Sequence, residues 1–232
     1  MMALTEKTSY TCDYCGNVFT KEKTLFIHVC EQKRRALAKT EKHVILAFDA
    51  FQKFYKHAQP NTKQDKTYEE FCKSPYYNAF IKFGSFVSNV NPLYPERFTT
   101  YVVTSGVKLD HWCRDELYDD YVFNLIKTES VETALQRTIQ TMMNWADDHD
   151  AQWNHYFLYA SLSRACYDIK DGKISPWLLF NSANGKAMLQ KFSDEQLAHV
   201  QKIIDPPFWM NKFKKLPADV EVVKQVVKES GI

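Results

Sequence analysis

Residues 10–30 read YTCDYCGNVFTKEKTLFIHVC. Within them two residues separate Cys12 from Cys15, twelve more lead to His28, and a single spacer precedes Cys30. Two thiols on one tight knuckle converge, and an imidazole and a third thiol follow about one small module later. These are the soft and borderline ligands that tetrahedral zinc takes. The same spacing decides the fold at this end of the chain. A unit of roughly 25 residues cannot bury enough surface to fold unaided, so metal coordination must supply the difference. A small zinc module is therefore expected over residues 1–32, with Cys12, Cys15, His28 and Cys30 as ligands and zinc as the cofactor. Four protein ligands close the coordination sphere, so a structural ion is expected and no catalytic residue is assigned.

The remaining cysteines, Cys72, Cys113 and Cys166, lie singly among apolar neighbours. A disulfide framework suits a short secreted chain, and these read instead as reduced, mostly buried thiols. The 232 residues are 45% hydrophobic and 15% aromatic, too rich for disorder, while 6 Gly and 8 Pro are too few for a turn-dense β fold. No N-terminal apolar segment and no run near 18 apolar residues is present, so a cytoplasmic protein without membrane association is expected. The net charge of +2 hides an uneven distribution. Residues 1–60 carry ten Lys/Arg against six Asp/Glu, residues 105–155 four against ten, and residues 156–232 eleven against eight. An acidic centre between basic ends suits partners of more than one kind.

The residues between the ligands resemble the Cys2His2-type ββα zinc finger. Cys12, Cys15, Phe19, Leu25 and His28 match its Cys-x2-Cys-x3-Phe-x5-Leu-x2-His pattern, with Phe19 and Leu25 as the minimal core beneath the metal. The departure is the fourth position. The family's last ligand comes three to five residues after the His, whereas Cys30 comes two later, about 200° around a regular helix. Either the helix ends or tightens at Val29, or the fourth ligand comes from elsewhere. The first reading gives Cys30 a role and is preferred. The whole chain is also similar to uncharacterised proteins of tailed bacteriophages. The likeness is carried by His28-Val-Cys-Glu-Gln-Lys-Arg-Arg35, Lys73-Ser-Pro-Tyr-Tyr-Asn-Ala-Phe80, Ile174-Ser-Pro-Trp-Leu-Leu-Phe180 and Ile204-Asp-Pro-Pro-Phe-Trp209. That resemblance implies a setting, the cytoplasm of an infected host, and no activity.

Residues 1–9 read as a short leader. Beyond the zinc module a helical stretch is expected from Glu31 to about His57, basic at its start and apolar on one face at Val44, Ala47, Phe48, Phe51, Phe54 and Tyr55. Residues 58–66, AQPNTKQDK, read as a linker. Further helices are expected over 76–90, 96–104, from an Asp110 cap to Lys127, over 131–147 from a Ser130 cap, and near 151–169. Others start at Ser175-Pro176, at the Ser193-x-x-Gln196 capping box, at Asp205-Pro206 and at Leu216-Pro217. The fold class is mainly α: a small ββα-like finger (1–32), a basic linking helix (33–57) and an all-helical domain (67–232).

Fingers that read DNA present side chains near the helix start. Here that stretch, Thr20 to Phe26, offers Lys21 and Lys23 and no arginine, which suits phosphates better than base edges. Lys33, Arg34, Arg35, Lys39 and Lys42 form the densest basic patch. Together the seven are the candidate nucleic-acid contacts, competing with the plainer reading of a solvated helix face. Lys212, Lys214 and Lys215 are a weaker second patch. Asp147-Asp148-His149-Asp150 with His155, and Asp110-His111-Trp112-Cys113, read as a solvated helix end and as helix neighbours that do not face one another. No phosphate-binding glycine loop or nucleophile motif is found, and no small-molecule substrate is expected. The expectation is a non-enzymatic accessory protein in phage replication, recombination or late transcription, touching nucleic-acid backbone and at least one protein partner. The alternatives are a protein-interaction or virion protein with a purely structural finger, and an enzyme whose site is assembled from distant residues.

Overall fold

The computed structural model describes residues 9–232, so the leader expected over 1–9 lies outside the description apart from Ser9. The protein is mainly α with one two-stranded antiparallel sheet, β1 (Tyr10–Thr11) and β2 (Val18–Phe19), pairing Tyr10 with Phe19 and Thr11 with Val18. No helix among the described residues is long and apolar enough to cross a membrane. The chain divides into two compact units, one reaching to Arg114 and one from Asp115 to Ile232.

The first unit holds the sheet and six helices: α1 (Glu22–Ile27), α2 (Glu31–Leu37), α3 (Lys42–Ala58), α4 (Tyr68–Lys73), α5 (Tyr77–Val90) and α6 (Pro95–Thr104). The continuous helix expected from Glu31 to His57 is broken. A 3-10 turn at Ala38–Thr40 and an extended Glu41 separate α2 from α3. Helix α3 supplies the core stripe read from the sequence, with Val44, Ala47, Ala50 and Phe51 buried. It lies against α5, and Gly84 is the reason the two axes come so close. A Cβ there would stand 2.1 Å from the His43 carbonyl oxygen and 3.0 Å from the Ala47 Cβ. Around the crossing Phe51, Phe71, Phe80, Phe83 and Trp112 meet edge-on or tilted at centroid distances of 5.1–6.5 Å, favourable aromatic geometry. Helix α4 was not expected from the sequence. Its Thr67–Glu70 capping box is fully formed.

The helix expected from Asp110 is corrected. Leu109–His111 is a 3-10 turn, and Trp112 is buried with its indole N–H donating to the Val107 carbonyl at 2.9 Å. Anchoring that ring in the first unit's core stops a helix from running through it.

In the second unit follow α7 (Asp115–Thr128), α8 (Val131–His149), α9 (Tyr156–Tyr159), α10 (Leu162–Lys170), α11 (Pro176–Asn181), α12 (Ala183–Leu189), α13 (Asp194–Ile204), α14 (Pro206–Lys215) and α15 (Pro217–Ser230). The expected caps are in place. Ser130 caps α8, Ser193 and Gln196 close a capping box on α13, Asp205 caps α14, and Gly231 ends α15 with a left-handed φ of 71°. The single helix expected near 151–169 is split, because Ala160 is extended and Ser161 starts α10 with its own cap.

Helix α8 packs against α11 and α15. Its Arg137 is only 7% exposed and lies against Glu129, 1% exposed, in a two-pronged ion pair with one N–H···O bond of 2.6 Å. The Arg137 Nε also donates to the Gly172 carbonyl at 2.7 Å.

Two variants test these features by chemical unfolding followed by circular dichroism. Gly84→Ala is expected to cost about 3 kcal/mol, because backbone stands where the methyl must go. Gly106→Ala, at a φ of 73° with open space around it, should cost only about 1–2 kcal/mol. In the second unit, Arg137→Leu leaves a buried carboxylate without its partner and should cost about 3–5 kcal/mol. Adding Glu129→Leu should recover part of that loss, and a double variant no better than the single would contradict this account.

Candidate metal centre

The knuckle begins where β1 ends. The Cys12 N–H donates to the Asn17 carbonyl at 2.9 Å and the Gly16 N–H to the Cys12 carbonyl at 2.8 Å, a tight reversal that needs the left-handed Gly16 (φ 74°). This places the Cys12 and Cys15 sulfurs on one side. Helix α1 then runs for six residues and stops at Ile27. His28 is extended (φ −70°, ψ 120°), with its N–H on the Leu25 carbonyl at 3.1 Å. The break expected at Val29 therefore comes one residue earlier. Two residues on, Cys30 is likewise extended (φ −83°, ψ 166°) and is the N-cap of α2, its sulfur accepting the Lys33 N–H at 3.3 Å.

That early stop resolves the short His28-x-Cys30 step. Outside a helix, residues two apart in extended chain have side chains on the same side, so both can face one point. The ligand atoms of Cys12, Cys15, His28 and Cys30 all lie within 4.8 Å of one another, the one such metal-ligating group among the described residues. The Cys15 sulfur and the His28 Nε2 are 3.3 Å apart. Metal–sulfur bonds of about 2.3 Å at tetrahedral angles separate sulfurs by about 3.8 Å, so the four atoms sit at the scale of a coordination shell. Cys12 is buried and the other three half-buried. The Phe19 ring lies 4.8 Å from the His28 ring, and Leu25 is half-buried on α1, as expected of a small core beneath the candidate metal site.

The electrostatics of the sulfurs also favour a cation. The Cys15 backbone N–H, foremost among several donors, holds the Cys12 thiol below its ordinary value. For Cys15 the Asn17 N–H acts to lower the value, but burial and the neighbouring Cys12 and Cys30 sulfurs together lift the thiol above it. Sulfurs packed this closely resist full ionisation unless a positive ion lies between them.

The cationic residues expected to touch nucleic acid fall into three settings. Lys21, Lys23, Arg34, Lys39 and Lys42 are exposed, and among the described residues none of them forms a salt bridge; the Lys39 ammonium lies 5.3 Å from the Tyr68 ring. Lys33 is half-buried, with Nζ 3.4 Å from the His28 carbonyl, next to the ligands. Arg35 fastens α2 to the body of its unit. Its guanidinium donates to the Cys72 carbonyl at 2.7 Å, pairs with Glu31 and lies 4.2 Å from the Tyr77 ring centre. The Tyr68 hydroxyl donates to the Arg35 carbonyl at 2.7 Å.

Elsewhere, His149 is stacked on Trp145 with Nδ1 2.7 Å from that residue's carbonyl, and Asp150 is a left-handed helix cap. Trp112 is core, and Cys72 and Cys166 are buried. Sequence reasoning passed over Tyr14 and the exposure of Phe26, the aromatic side chains that flank the ligands. Phe26 lies on α1 and is 81% exposed, and periodicity alone does not show that exposure.

One divalent ion per chain is expected by elemental analysis. Cys12→Ser, Cys15→Ser and Cys30→Ser should each weaken metal retention against a competing chelator at least about 10-fold. Cys113→Ser should leave it unchanged. A Cys30→Ser protein that retains metal like the parent would remove Cys30 from the ligand set. No protein-family model, curated protein or solved structure matches the chain.

Proposed function

We propose that the centre holds a structural zinc ion and that the protein is a non-enzymatic adaptor which binds nucleic acid through the finger and α2. Three thiolates and an imidazole in a closed tetrahedral set are the donors of structural zinc sites, whereas harder cations take oxygen ligands. The observation that carries the reading is the position of His28 and Cys30 on either side of the α1–α2 junction. One ion then orients both helices together with the exposed cations Lys21, Lys23 and Arg34. Residues 10–42 carry seven Lys/Arg against four Asp/Glu, and Arg35 and Glu31 neutralise each other. The remaining cations suit contacts to phosphates, which position a protein without specifying sequence. Arg35 supports the platform, and Lys39 and Lys42 extend it along the chain toward α3.

A protein partner is the second arm of the proposal. Ile27, Val29 and Leu37 are each 60% exposed or more, an unusual share of bare aliphatic surface for so small a module. A setting in a tailed bacteriophage, in replication, recombination or late transcription, rests on the sequence resemblance.

The test is fluorescence anisotropy of the zinc-loaded chain with labelled DNA across a salt series. Affinity should fall linearly on logarithmic axes. The triple variant Lys21→Ala/Lys23→Ala/Arg34→Ala should flatten the slope by about 2, since each lost phosphate contact removes roughly 0.7–0.9. Absence of binding at about 50 mM salt would overturn the nucleic-acid reading.

A further inference from the structure

A groove of about 430 Å³ opens beside the metal centre. The candidate ligands Cys12 and His28 are among its lining residues, and Tyr14, Phe26, Lys33 and the acidic Asp13 and Glu22 also line it, with Leu25 from α1. Phe26 is 81% exposed and Tyr14 43%, while the rings of the first unit's core are almost completely covered. Glu22, Leu25 and Phe26 are spaced i, i+3, i+4 and so share one face of α1. Lys23, three residues before Phe26, flanks that face with an exposed ammonium.

We infer that this groove takes an unpaired base of a single-stranded nucleic acid, stacked on Phe26 and Tyr14. The inference rests on the nucleic-acid reading above and adds to it the strand state of the target. Three features favour a base over other occupants. Exposed aromatic rings offer π-faces on which any base can stack, independent of sequence. Two carboxylates repel phosphate but accept hydrogen bonds from base N–H groups, as acidic side chains do from the cytosine amino group. Cations beside the aromatic face, Lys23 and Lys33, suit the phosphates that flank a splayed base. A duplex keeps its bases stacked inside and offers the groove nothing to hold. A groove meant for phosphate alone would not carry Asp13 and Glu22.

The experiment compares three labelled probes of equal length on the zinc-loaded full chain at one salt concentration: a mixed-sequence single strand, an abasic single strand, and a duplex. The mixed single strand is expected to bind at least about 10-fold more tightly than either of the others. Phe26→Ala should lower affinity for it about 10-fold. The same change should leave the abasic and duplex probes, the salt slope and the zinc content unchanged. Phe26→Tyr should restore binding, and Tyr14→Ala should reproduce the loss independently. Equal affinity for all three probes, or Phe26→Ala and Tyr14→Ala proteins that bind the single strand like the parent, would overturn the inference and leave the phosphate reading standing. A change in solution mass on Phe26→Ala with unchanged nucleic-acid affinity would overturn it in favour of contact between copies of the chain. Failure to bind any probe would overturn both readings.

Discussion

Cys30 has two roles that constrain each other. Its sulfur belongs to the metal-ligating set, and the same sulfur caps α2 by accepting the Lys33 N–H. One atom thus joins the candidate metal centre to the start of α2. For Cys30 to sit there, α1 has to end before His28, since a continuing helix would turn the two ligands to opposite sides. From Cys30 the constraint passes along one turn of α2 to Arg35, which grips the Cys72 carbonyl and the Tyr77 ring. Coordination at the finger is thereby tied to the aromatic core between α3, α4 and α5.

Neither α1 nor α2 has a fully buried residue. Helices of six and seven residues are far below the length at which an isolated helix is stable in water. Ordinary core packing therefore contributes little to their orientation, which leaves the Cys30 cap, the Arg35 clamp and, on the proposed reading, the ion. The rest of the molecule works in the opposite way. In the second unit Trp177, Trp209 and Phe213 pack with centroids 5.1–5.9 Å apart, and Arg137 and Glu129 are buried as a pair. A buried ion pair adds little net stability over an apolar substitute, but it penalises arrangements in which either charge is left alone.

Local chemistry was the part of this fold most legible in the sequence. The Cys/His spacing pointed to the four side chains that the fold brings together, because knuckle geometry is fixed within a few residues. Ser130, Ser193, Asp205 and Gly231 marked helix ends because capping is decided by side-chain and backbone groups within one turn. The failures share a different cause. The turn at Leu109–His111 follows from the destination of Trp112 in a core built by distant helices, and the interruption at Ala38–Glu41 leaves the hydrophobic period nearly intact. Gly84 reads as a weak point in a helix until the backbone of α3 is found against it. Thr67-x-x-Glu70 is a local signal that was present and overlooked. For the candidate site, the ligands were readable, but the separate settings of Arg35, Lys33 and Phe26 were not, because charge and hydrophobicity do not reveal which side chains the fold has already engaged.

The structural role of the ion sets how its loss would appear. If packing oriented α1, the exposed cations, the flanking rings and the ligands would be separable features on a common scaffold. On the proposed reading, losing the ion would release Lys23 and Phe26 with α1, while Arg35 would still fasten α2. The contributions of Lys23 and Phe26 to the proposed nucleic-acid binding would then be lost in one step. Neutralising the lysine would remove only the component that salt screens, and trimming the ring only the component that salt does not. On the proposed reading a structural ion would act on binding without touching nucleic acid, through the geometry it imposes on α1, while α2 is also held by Arg35 and Tyr68.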